Sequence, residues 1–119
     1  MKFKRVSSLQ ESNNTNLRKF LIAAAEYAEI DVTSLVNAPD INKVVVHHIK
    51  KDRSANGIDE LVLMSDEQHR KMHARYRFKE WNEQAHQEYD HVPVKEIISK
   101  LTIRFIQQSE IDEHVFTTV

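Results

Sequence analysis

Residues 44–73, VVVHHIKKDRSANGIDELVLMSDEQHRKMH, limit the possible folds of this chain more than any other stretch. The apolar pattern changes period twice within it. Residues 43–49, KVVVHHI, are rich in β-branched side chains and too short for an independent helix, which predicts a strand. Residues 60–64, ELVLM, predict a second strand. Between them KKDRSANGID carries the single glycine, in an Asn56-Gly57 pair that suits turns with positive φ. The two runs therefore predict a two-stranded hairpin closed by a long, basic loop. SDEQ follows at once. Ser65 is a helix cap with Gln68 at capping-box spacing, and Asp66 and Glu67 suit the positive end of a helix dipole. The helix is expected to run through His69 and His73 and as far as Tyr89, with Tyr76, Trp81 and Ala85 as packing residues.

The flanks read as helical. Behind the polar caps of NNTN, the side chains Leu17, Phe20, Leu21, Ala24 and Ala28 recur at helical spacing, predicting a helix over 16–29. DVTSLVNAPD predicts a turn or a single helical turn closed by Pro39. Pro93 opens a segment in which Val94, Ile97, Ile98, Leu101 and Phe105 form a stripe of period about 3.6, a core or dimer face. The ending HVFTTV is expected to add a strand or to fray. The fold class expected is α+β, a small hairpin packed among α-helices.

Composition narrows the class of function. With 119 residues the chain suits one domain with one modest core. Without cysteine it has neither disulfides nor a cysteine zinc site, which fits a reducing cytoplasm. No apolar run approaches a membrane span, and MKFKRVSS has no apolar stretch behind its basic residues, so neither a membrane segment nor a signal peptide is expected. The net charge of −1 hides an asymmetry: residues 42–79 hold nine Lys/Arg against five Asp/Glu, a local excess of +4. A basic middle in a near-neutral chain can be a footprint for phosphate, although on charge alone a solvated loop and helix face is the simpler reading.

Four of the seven histidines lie in the stretch quoted first. Residues four apart on a helix share a face, so His69 and His73 can present imidazoles to one metal ion. Two ligands rarely suffice, so a third is expected from elsewhere, and the neighbouring strand offers His47 or His48. Alternation points these two to opposite faces, so one can ligate while the other is left to act as a base. A helical histidine pair also marks H-E-x-x-H zinc proteases. There the residue after the first histidine is the glutamate base, whereas here it is Arg70. His86, His91 and His114 match no motif and read as surface or capping residues.

In this order and spacing the stretch resembles the HNH endonucleases of the ββα-metal, or His-Me finger, superfamily. The nearest pattern is that of the nuclease colicins, with an adjacent histidine pair and two helical histidines four apart. The resemblance covers about residues 44–77. It implies a single domain over 1–119: an N-terminal helical flank (1–42), an HNH-like ββα-metal core (43–78) and a C-terminal helical flank (79–119). It implies His47, His69 and His73 as metal ligands and His48 as the general base that takes a proton from the attacking water. The cofactor implied is a divalent ion, Zn, Ni, Mn or Mg, with imidazole ligands favouring Zn, Ni, Co or Mn over the oxygen-seeking Mg. The partner implied is double-stranded DNA, met by a monomer that nicks or a homodimer that cuts both strands. Lys50, Lys51, Arg53, Arg70, Arg75 and Arg77 are the candidate phosphate contacts.

One position departs from the pattern. Glu60, in IDELVL, stands where the family carries an asparagine that pins the loop bearing the base histidine. An ionised carboxylate only accepts hydrogen bonds, whereas an amide also donates. The roles open to Glu60 are to orient His48 or to pair with a basic loop residue, and Asn56 lies in the same loop. Losing a positioning residue weakens catalysis more than fold. A second class of function therefore stands beside the enzyme: an HNH-fold module of weakened catalysis that binds DNA or a protein partner, such as a phage-encoded inhibitor of a host defence system.

Overall fold

The computed structural model describes residues 16–50, 57–76 and 83–118, of which 111–118 are described by backbone alone. Residues 16–27 are helical (α1) and bury Leu21, Ala24 and Ala25, while Phe20, expected in the same stripe, is exposed. The helix stops short of residue 29 because Glu29 turns left-handed at φ 60° and Ile30 N–H bonds back to the Ala25 carbonyl. The single helical turn expected next is present as α2 (Val32–Leu35), capped by the Asp31 carboxylate, which accepts from Ser34 N–H. A 3-10 turn at Ile41–Lys43 leads into β1 (Val44–His48). Arg18 of α1 donates to the carbonyls of Ile41 and Val44, fixing where that strand begins.

β1 pairs antiparallel with β2 (Leu61–Ser65), placing His47 opposite Val62 and His48 opposite Leu61. A third strand, β3 (Val92–Pro93), pairs with the other edge of β2, so the hairpin expected from the sequence is two-thirds of a three-stranded sheet. Proline sits in β3 without breaking the sheet because an edge strand has one side with no ladder to join.

All five residues of β2 are buried, which is why LVLM shows no polar alternation. Residues opposite each other in an antiparallel ladder share a face. One face carries Val44, Val46, Leu61, Leu63 and Val92, and packs with α1, α2 and the start of the last helix in the larger core. The other carries Val62 and Met64, which pack with Met72 and Ala85 in a smaller core.

Met72 belongs to α3 (Asp66–Tyr76), which follows β2 directly. Ser65 Oγ accepts from Gln68 N–H at 3.2 Å, one half of the expected capping box. The other half is absent, because the Gln68 amide instead donates to the Asp90 carboxylate and accepts from Asp90 N–H. The helix does not reach Tyr89. Glu83 and Gln84 form a turn and Ala85–Glu88 a 3-10 turn that folds back beside α3. Glu88 holds it there, accepting from the Tyr76 hydroxyl and pairing with Arg75 at 2.8 Å. Ala85 is buried there with Val62, Met64 and Met72. Trp81 lies outside the described residues. The last helix, α4 (Val94–Thr118), buries Val94 and Ile97 and half-buries Ile98 and Leu101, then carries Phe105 out of the core to stack on Tyr27. Its backbone is helical through 114–118, where a strand or frayed end was expected.

Candidate metal centre

The smaller face of the sheet builds the site. His47 shares that face with Val62 and is 2 % exposed. Residues 69, 72, 73 and 76 form one side of α3, at the spacing that repeats on a helix face. Met72 is buried against Val62 and Met64, and Tyr76 packs at the margin of the same cluster. Anchoring that side of the helix on the sheet brings His69 and His73 over His47.

One ring nitrogen from each of His47, His69 and His73 lies within 4.8 Å of the others, so the three can hold one metal ion. The His69 and His73 Nε2 atoms are 3.0 Å apart, a contact in which one ring donates to the other or both turn to a shared ion. Ring centres are 5.2 Å apart for His47–His69, 5.7 Å for His47–His73 and 4.4 Å for His69–His73. Two imidazoles on one tetrahedral ion, with metal–nitrogen bonds of about 2.0–2.1 Å, have ring centres about 5 Å apart.

Electrostatics favours the ligating form. Burial, reinforced by His69 and His73 and then by His86 and His48, lowers the His47 pKa to about 3. Burial and then His73 lower that of His69 to about 4, against an opposing pull from Asp66. Near pH 7 both rings are neutral and bind a cation without first losing a proton. A donor set of three imidazoles fits a borderline transition metal better than Mg.

His48 does not join this group. Its register partner Leu61 puts it on the opposite face of the sheet, half-buried at the end of β1. It is still near enough for its charge to depress both His47 and His69. Glu60 sits where the loop leaves the hairpin. Its Oε2 accepts from Gly57 N–H at 3.4 Å and its Oε1 lies 3.5 Å from Lys50 Nζ. Of the two roles open to Glu60, the observed contact is the one with a basic residue. The neighbouring Ile49 N–H donates to the Glu60 carbonyl, so residue 60 ties the last β1–β2 rung to the loop.

The candidate phosphate contacts are exposed where described. Lys50 pairs with Glu60, Arg70 with Asp66 at 3.0 Å and Arg75 with Glu88. Exposed pairs of this kind are worth about 0–1 kcal/mol and yield readily to a phosphate. Lys51, Arg53 and Arg77, with Asn56, lie outside the described residues.

His86, taken from the sequence as a surface or capping residue, is a correction. It is 6 % exposed, and its ring centre lies 5.9 Å from that of His47. His91 is half-buried beside it, ring centres 5.0 Å apart. Nothing local marks them, since it is the packing of the 3-10 turn beside α3 that brings them to the sheet. No helix among the described residues is long and apolar enough to cross a membrane. Compared with protein-family models, curated proteins and solved structures, the chain matches none.

Proposed function

We propose that this chain is a metal-dependent DNA endonuclease of the HNH, or ββα-metal, kind. The observation that carries the proposal is the His47–His69–His73 group, assembled from strand and following helix in the order of the motif. His47, His69 and His73 would hold the ion through ring nitrogens, and the ion would supply positive charge to the phosphate as negative charge builds up on cleavage. His48 leaves β1 on the other face but lies near enough to interact with His47 and His69. It is the residue assigned to accept the proton of the attacking water as the water oxygen bonds to phosphorus and the bond to the 3′ oxygen breaks. Lys50, Lys51, Arg53, Arg70, Arg75 and Arg77 meet the phosphate backbone of the duplex, which makes binding salt-dependent. A monomer of this kind nicks, and a homodimer cuts both strands.

Supercoiled plasmid incubated with the protein and Mn, Ni, Zn or Mg tests this. Nicked or linear DNA is expected with at least one ion, and His48→Ala lowers the rate by roughly 10²–10⁴-fold while leaving metal binding intact. Plasmid left supercoiled with all four ions, or a His48→Ala protein as fast as the parent, overturns the proposal.

The contacts of Glu60 favour a second reading. A carboxylate that holds Gly57 N–H and Lys50 pins the loop as an acceptor, without the amide's donor. The same fold then serves as a DNA- or protein-binding module of weakened catalysis, a phage inhibitor of host defence among the settings.

A further inference from the structure

We propose that His86 and His91 hold a second transition-metal dication, distinct from the three-histidine centre. The inference does not depend on nuclease activity.

Both rings are fixed from behind. His86 Nδ1 lies 3.1 Å from the Glu83 carbonyl oxygen, and His91 Nδ1 lies 2.9 Å from that of Tyr89. A carbonyl only accepts, so each Nδ1 carries the hydrogen. In the neutral ring this leaves the lone pair on Nε2. A ring held through Nδ1–H by a main-chain carbonyl, with Nε2 presented, is the usual posture of a metal-ligating histidine. The ring centres are 5.0 Å apart and the planes stand at 88°, a spacing that matches two imidazoles on one tetrahedral ion, about 5 Å.

The surroundings leave room for the rest of a coordination shell. Both histidines line a cavity of about 320 Å³, whose wall also carries Asp59, Glu83 and Gln84. The pair supplies two nitrogens, and water fills the other positions. A Zn, Ni or Cu dication is the class that imidazole selects. With two protein nitrogens against three, this position binds more weakly than the His47–His69–His73 centre.

Zinc titration of the metal-free protein, followed by calorimetry and native mass spectrometry, reads the two positions apart. The parent is expected to take up two equivalents, a tighter and a weaker. His91→Ala loses the weaker and keeps the tighter, while His69→Ala does the reverse. Circular dichroism of each variant confirms that the fold is retained. Zinc uptake unchanged by His91→Ala overturns the second position, whatever the total. A single equivalent that His91→Ala removes and His69→Ala spares supports it, and removes instead the metal centre of the proposed nuclease.

Discussion

Single residues carry the chemistry, and their types were legible before their positions. His69 and His73 are neighbours because a helix repeats every 3.6 residues, and His47 meets them because a strand alternates. Those rules need only local sequence. His86 needed the fold, since its approach to His47 joins residues far apart in the sequence. Glu60 was legible as a departure, but not in its partners, Lys50 and the Gly57 N–H. Substituting Glu60→Asn restores a donor where the loop leaves the hairpin. For the nuclease, plasmid nicking should rise on the order of 10- to 100-fold, the scale on which positioning acts. Equal inactivity of the parent and Glu60→Asn proteins points to the binding module.

Secondary-structure elements were readable where their signals are local. β1 announces itself by a β-branched run, β2 by a short apolar run, and α2 and the start of α3 by turn and capping residues. β3 could not, because two residues carry no periodicity and Pro93 argues against a strand. The 3-10 turn at Ala85–Glu88 was also hidden, since it is held beside α3 by contacts across the chain, Arg75 and Tyr76 to Glu88 and Gln68 to Asp90. The start of α3 rests on Ser65, a buried hydroxyl that caps Gln68 N–H. Ser65→Ala should destabilise the protein by about 1 kcal/mol in urea unfolding with the m-value unchanged. A loss below a few tenths of a kcal/mol would show that the cap does not hold the helix that carries His69 and His73.

At the scale of the whole molecule, the sheet separates two cores, and the three-histidine cluster belongs to the smaller. Burying histidines there links stability to pH. Unfolded, His47 and His69 take up a proton near pH 6.5, whereas folded they resist until about 3 and 4. Between these values the unfolded chain binds more protons, so stability is full above about pH 6.5 and falls as the pH drops toward 4. Thermal unfolding of the metal-free protein should therefore show a Tm that declines steadily from pH 7 to pH 4. A flat profile would mean that the rings are not buried as described.

The central claim is that His47, His69 and His73 together bind one metal ion. X-ray absorption at the zinc edge, on protein loaded with one equivalent of zinc, tests it directly. Three imidazole nitrogens at about 2.0–2.1 Å are expected, falling to two in His73→Ala. A shell of oxygens alone, or a three-nitrogen spectrum that His73→Ala leaves unchanged, would contradict it.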